Sequence, residues 1–250
     1  LYLYGRNQNE LFIVWTGTGG NGKSLMEDLL KVVFGKYYEP LPHEQITLKS
    51  KGGANSELSS LRNARCVIVG EVGDGEREDK LKIGNIKKWT GGDIIKTRDL
   101  YKSCSSFTPH FTLTLQCNDI PILSKKDGGI ERRMRIIPFP VKFVENRGQE
   151  LRDGEKYRDE NLKNQIKNDL RYRDAFLHLI IDCWLRNDGK FVSCRAVENA
   201  TSDYMEEQNP IREWFENNYE IFEEGGNKKE WIMATNLYDA FRRDNTHSVV

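Results

Sequence analysis

Residues 11–24 read Leu11-Phe12-Ile13-Val14-Trp15-Thr16-Gly17-Thr18-Gly19-Gly20-Asn21-Gly22-Lys23-Ser24. The five apolar residues at the start predict a strand buried on both faces, the mark of a parallel sheet. The last eight, Gly17–Ser24, fit G-x-x-x-x-G-K-[ST]. Beyond them Leu25, Leu29, Leu30 and Val33 have helical spacing, and Gly35 is the expected C-cap. Strand, glycine-rich turn and helix together predict a phosphate-binding loop. Gly17, Thr18, Gly19, Gly20, Asn21 and Gly22 allow backbone N–H groups to close around phosphate oxygens. Lys23 would neutralise β/γ charge, Ser24 would ligate Mg²⁺, and the helix N-terminus would add its dipole. ATP and Mg²⁺ are therefore the expected cofactors.

Such a loop needs an acid at the tip of another strand to hold Mg²⁺ and polarise water. Cys66-Val-Ile-Val69 is a second buried-strand candidate, and Glu71 follows it after Gly70. A third strand, Phe111–Cys117, ends at Asn118, whose amide could hold the lytic water or the γ-phosphate. Taken by itself, that asparagine is better read as part of an ordinary Asn-Asp turn before Pro121. Met134–Pro140 makes a fourth strand, preceded by Arg132 and Arg133. Arginine suits the transition-state charge of a transferring phosphoryl group, and a solvated pair at a strand start is the plain alternative. A helix is expected over Lys80–Trp89, ended by Gly91-Gly92. Strands alternating with helices predict an α/β core with a largely parallel sheet.

The 250 residues carry 38 Lys+Arg and 38 Asp+Glu, a formal net charge of zero. Charge is nevertheless segregated. Residues 80–102 hold seven basic side chains against Asp93 and Asp99, whereas residues 203–224 hold eight acids against Arg212. Nucleic acid, if bound, would be met by local basic loops and not by a global field. No apolar run approaches the roughly 18 residues of a membrane span. Five cysteines without a C-x-x-C pair, and four scattered histidines, offer neither a disulfide framework nor a zinc site. A reducing, cytoplasmic setting is expected. The start at Leu1, without an initiator Met, reads as a fragment of a longer polypeptide.

The motifs, in this order, resemble the superfamily 3 helicases, and within them the poxvirus-type and phage/plasmid-type primase-helicases. The stretches that carry the resemblance are Thr16–Ser24, Val67–Glu71, Ile86-Lys-Lys-Trp-Thr-Gly-Gly-Asp93, Thr112–Asn118 with Pro121, and Arg132-Arg133 leading to Ile137-Pro138-Phe139. Tyr204–Phe215 and Asn236–Arg243 match in style. The resemblance implies an AAA+-type P-loop core, and it gives Asn118 a sensor role. Arg133 takes the arginine-finger role, with Arg132 as the alternate. It also makes Ile94–Phe107 a hairpin in a central channel, with Lys102 near its tip on the DNA backbone and Lys96 and Arg98 nearby. One departure concerns the second acid that often follows the catalytic carboxylate: here Val72 and Gly73 stand there, and Asp74 or Glu76 would have to substitute.

The expected organisation is a P-loop AAA+ core over 1–143, a charged linker and helical lid over 144–205, and the start of a winged-helix-like unit over 206–250. The expected activity is ATP-dependent unwinding of single-stranded or forked DNA by a homo-oligomeric, hexameric ring, as part of a viral, phage or mobile-element replication protein. The resemblance also implies an upstream primase module; if viral, the protein would work at replication sites in the host cytoplasm. An ATP-driven protein remodeller or loader is the alternative, and a nucleotide-binding scaffold without turnover is a third.

Overall fold

The computed structural model describes residues 2–3, 7–48, 56–70, 80–97, 104–145, 148, 150–208, 214–215, 218–219 and 233–245. The chain divides into two compact units, residues 1–201 and 202–250. Strands of the first unit are β1 (Phe12–Thr16), β2 (Tyr38–Leu41), β3 (Cys66–Val69), β4 (Ile95–Thr97), β5 (Ser105–Phe107), β6 (Thr112–Gln116), β7 (Met134–Pro138), β8 (Lys142–Val144) and β9 (Glu155–Tyr157). Its helices are α1 (Lys23–Phe34), α2 (Ser56–Ser60), α3 (Ile83–Thr90), α4 (Gly128–Glu131), α5 (Leu162–Asn168) and α6 (Leu170–Arg186), and α7 (Arg195–Glu207) begins in it.

Five strands form the central sheet in the order β2-β3-β6-β1-β7, and every neighbouring pair is parallel. The apolar runs read from the sequence occupy its middle, where strands buried on both faces must be apolar throughout. Phe12, Val14, Val67, Val69, Leu113 and Leu115 have no exposed surface. Over one face, Leu11, Ile13, Trp15, Leu30, Cys66 and Ile68 build a core joined by Met26, Phe34 and Phe176. Burial pushes the Cys66 thiol pKa up, so this cysteine behaves as a small apolar side chain.

The edge strand β2 was not expected. Its sequence, Tyr-Glu-Pro-Leu, is short and contains Pro40, which cannot donate to a ladder and so is tolerated at an edge. At the opposite edge, the outward N–H of Ile136 donates to the Thr201 hydroxyl at 3.0 Å. The expected helix near residue 80 begins at Ile83 and ends at Thr90.

Ile95–Thr97 and Ser105–Phe107 pair antiparallel, with Ile95 opposite Phe107. An antiparallel strand pair thus stands where a hairpin was expected, with Ser105 and Ser106 in its second strand. Arg62 fastens it, donating to Ser105 Oγ at 2.9 Å with its guanidinium over the Phe107 ring at 5.6 Å. Helices α5 to α7 supply the helical region expected after residue 160.

In the second unit, Trp214 meets Tyr219 and Phe241 edge-on at 5.5 and 5.6 Å, and its indole N–H donates to Asp244 at 3.0 Å. Phe241 and Asp244 lie on α8 (Ala234–Asn245).

Candidate functional site

All five central strands run the same way, so the sheet has two chemically distinct ends. At the C-terminal end β1 gives way to the glycine loop, and α1 starts at Lys23. Gly17 has φ 146°, and a Cβ there would lie 2.6 Å from the Phe139 carbonyl oxygen. Gly22, the α1 N-cap, has φ 91°. A side chain is excluded at the first by space and disfavoured at the second by backbone strain. The loop is held from outside, with Asn21 Nδ2 donating to Phe139 O at 3.2 Å and Phe143 N to Gly20 O at 2.8 Å.

Lys23 is 3% exposed. A buried ammonium needs hydrogen-bond acceptors. It donates to Gly17 O at 2.6 Å, Asn118 Oδ1 at 2.9 Å and Asn21 Oδ1 at 3.2 Å. Asn118 stands just beyond the end of β6 beside β1, and the Thr16 hydroxyl donates to its backbone oxygen at 2.8 Å. Two residues earlier, Gln116 Nε2 donates to Ser24 Oγ at 3.4 Å, while its Oε1 is buried without a hydrogen-bond partner. Thr114, Gln116 and Asn118 share one side of an alternating strand, and that alternation is the signal that could have marked Gln116. Helix α1 has no side-chain cap and no acid in its first turn. Its N-terminus therefore suits an anion.

The structure brings together Gly17, Thr18, Gly19, Gly20, Asn21, Gly22, Lys23, Ser24 and Asn118. Glu71, expected one residue past Gly70 at the same sheet end, lies outside the described residues, as do Asp74, Glu76, Arg98 and Lys102. Lys96 is exposed on the first strand of that antiparallel pair, opposite Ser106.

Arg132 and Arg133 sit at the other end of the sheet. Phe12 N donates to Arg133 O at 2.8 Å, which sets the pair at the start of β1 and β7. Five β1 residues separate them from the loop, about 15 Å at the usual rise per residue. Arg133, expected as the finger, is interior, with its side chain 8% exposed. It donates to Gly129 O at 2.8 Å and to Glu10 Oε2 at 2.5 Å. Arg132, the alternate, has a 62% exposed side chain and reaches the same Glu10 oxygen at 2.6 Å. Sequence reasoning missed Glu10, because only the folded sheet brings residue 10 to residues 132 and 133. Just upstream, Asp127 caps α4 by accepting from Ile130 N at 3.0 Å and pairs with Lys87 at 2.8 Å. The Lys87 hydrogen bond, aided by the helix N–H, holds the Asp127 carboxyl below the usual carboxylate range.

A family model described as a family of unknown function (DUF5906) matches residues 15–133. Among curated relatives, "Putative helicase L207/L206" of Acanthamoeba polyphaga mimivirus is 38% identical over 146 residues, 58% of this chain and 15% of that protein. "Putative helicase 022R" of Frog virus 3 is 28% identical over 224 residues, 85% of this chain and 22% of that protein. "Uncoating factor OPG117" of Vaccinia virus (strain Western Reserve) is 28% identical over 178 residues, 68% of this chain and 22% of that protein. The chain thus spans less than a quarter of the length of each. The A-form apo structure of the NrS-1 C-terminal region has a TM-score of 0.51 at 15% identity, covering 84% of this chain and 48% of that one, and shares the fold. Among the described residues no helix is long and apolar enough to cross a membrane. With helicase-named relatives in several viruses and a neighbour of the same fold, the chain resembles, at the coarse level, the superfamily 3 helicase-like family.

Proposed function

We propose that these residues form the AAA+-type P-loop motor of a viral, ATP-dependent DNA helicase that works as a ring, with six subunits as the expected number. The observation that carries this reading is the convergence of Lys23, Ser24 and Asn118 on a glycine loop at one end of a parallel sheet. The arginine pair stands at the other end. An arginine rooted at the opposite end of β1, about 15 Å of strand from its own loop, is badly placed to serve its own nucleotide. It can serve a neighbour's, which is the reason for proposing a ring.

The uncapped α1 N-terminus and the loop N–H groups would bind the phosphates of ATP, and Lys23 would exchange its neutral oxygen partners for β/γ-phosphate oxygens. Such an exchange is feasible, since each charge-assisted bond given up, about 1.5–3 kcal/mol net, would be replaced by one to a charged oxygen. The donor set also fits Mg²⁺: the Ser24 hydroxyl would ligate it, and the partnerless Gln116 Oε1 is an acceptor close to that hydroxyl. When bound, Mg²⁺ would neutralise charge developing on the phosphoryl oxygens. Glu71 would take a proton from the attacking water, Asn118 would orient that water, and an arginine from the adjacent subunit would stabilise the transition state. The hairpin of β4 and β5 would carry Lys96, Arg98 and Lys102 to one DNA strand. The second unit is proposed as part of a winged-helix-like element, and an upstream primase module and cytoplasmic replication sites complete the reading.

The name of the vaccinia relative favours one rival, an ATP-driven remodeller acting on protein. Steady-state ATP hydrolysis with and without single-stranded DNA, beside a forked-duplex unwinding assay, separates the two. Stimulation by DNA with strand displacement is expected. Hydrolysis indifferent to DNA would overturn the helicase reading in favour of the remodeller.

A further inference from the structure

Glu10 has no role in the nucleotide site, yet the fold spends unusual geometry on it. Its φ is 53°, in the left-handed region that non-glycine residues adopt at a cost of about 1 kcal/mol or more. The surrounding turn is braced by Asn7. Asn7 O accepts from Glu10 N at 3.1 Å, its Oδ1 accepts from Leu11 N at 3.0 Å, and its Nδ2 donates to Leu11 O at 2.8 Å. The turn holds one carboxylate oxygen, Oε2, between two guanidinium groups, at 2.5 Å from Arg133 Nη2 and 2.6 Å from Arg132 Nη2.

The two arginines are not equivalent. Arg133 is tied at both amino groups, to Gly129 O and to Glu10, so turning outward would break two charged hydrogen bonds at once. Arg132 has Glu10 as its one partner among the described residues. Its remaining N–H donors project from a side chain that is mostly exposed, in the fork geometry that matches phosphate. One carboxylate against two guanidiniums also leaves the group with a net positive charge. That charge resides on the exposed member.

We propose that Glu10 is a positioning residue: it locks Arg133 inside as an anchor and sets Arg132 as the guanidinium offered to the nucleoside triphosphate of the adjacent subunit. The proposal rests on the ring reading above and reverses the order in which the sequence ranked the two arginines. Glu10 touches no phosphate itself. It decides which arginine can.

The test is complementation between subunits of the full-length protein, read as ATP hydrolysis in mixed assemblies. Glu10→Gln is expected to lower kcat on the order of 10²-fold, the loss typical of a misplaced catalytic group. The affinity of its own site for a fluorescent ATP analogue is expected to stay unchanged. Mixed with Lys23→Ala, it should regain activity, because some interfaces then pair an intact loop with an intact arginine. Mixed with Arg132→Ala, it should regain none, because every interface lacks a well-placed arginine. Wild-type kcat in Glu10→Gln, or recovery with Arg132→Ala instead of Lys23→Ala, overturns the proposal. Glu10→Asp keeps the charge but is one methylene shorter; it should show a smaller kcat loss with the same pattern of partners, and a different pattern overturns the proposal. It also replaces Glu10→Gln if that variant does not fold by circular dichroism. A control mixture of Lys23→Ala with Arg132→Ala isolates the underlying reading. No recovery there overturns the ring, and Glu10's role with it. Recovery there, with Glu10→Gln in the wrong group, overturns the proposal alone.

Discussion

The two ends of the central sheet hold their cations by opposite means. At the loop end, the described hydrogen bonds of Lys23 go to Gly17 O and to the amide oxygens of Asn21 and Asn118, which are neutral acceptors. At the far end, Arg133 is gripped by the Glu10 carboxylate and a carbonyl. Bonds to neutral oxygens can be exchanged for phosphate oxygens at little cost, and each exchange gains a charged partner. The interior Arg133 guanidinium cannot be released so cheaply, since without these acceptors it would be left charged and largely shut off from water. The first arrangement fits a site that must accept an anion in every cycle. The second fits a fixture.

The sharpest way to break this contrast is at the loop. Lys23→Ala is expected to bring ATP hydrolysis to background in a steady-state assay, because the ammonium fixed at the start of α1 is the partner of the β/γ-phosphates. Near-wild-type turnover would remove the loop from the mechanism. Next comes Arg132→Ala. Turnover should fall about 10³–10⁵-fold, the span known for arginine fingers. Nucleotide affinity by fluorescence titration should hold, and so should the melting temperature. Asn118→Ala should cost roughly 10²-fold in kcat, as for loss of one oriented polar group. An unchanged kcat would return Asn118 to the role of a turn residue.

Arg133 sharpens the contrast through stability. Arg133→Met should lower unfolding free energy by about 1–3 kcal/mol in urea titrations, since charged hydrogen bonds are lost while Glu10 keeps Arg132. A variant as stable as wild type would mean the interior guanidinium is not an anchor. The smallest effect is the acid limb of stability. The depressed Asp127 carboxyl contributes above its unfolded value of about 3.9, and that contribution is lost as pH falls through its lower folded value. Comparing melting temperatures from pH 6 down to pH 2, Asp127→Asn should lose less than wild type does.

The loop end was legible in the sequence because its determinants are contiguous. Leu11–Trp15 is apolar throughout since both faces of a central parallel strand are covered, and the spacing of the glycines, Lys23 and Ser24 is set by local backbone geometry. Asn118 could be placed beside them because a strand that ends is as readable as one that begins. The far end was not legible. Glu10 is an ordinary acid in a polar turn until β1 and β7 come together as neighbours, and nothing local separates Arg132 from Arg133. Burial divides them, and burial is a property of the sheet and of α4. Gln116 fell between these cases. Its place on the same side as Asn118 follows from alternation, but a polar residue inside an apolar strand draws no attention until its neighbour across the gap is known to be Ser24. The edge strand β2 escaped for lack of length and because Pro40 reads as a break.

Both margins of that sheet are closed to further strands. Pro40 removes a donor from one, and on the other the Ile136 N–H is spent on Thr201 while Pro138, pointing the same way, has no N–H to give. In the proposed ring, a second subunit would therefore not join by extending the backbone ladder, as chains do in fibres. It would meet this one through side chains, whose contacts break and remake one at a time. A contact of that kind can loosen and tighten with each turnover without unzipping a fold, which a continuous intersubunit sheet would not permit.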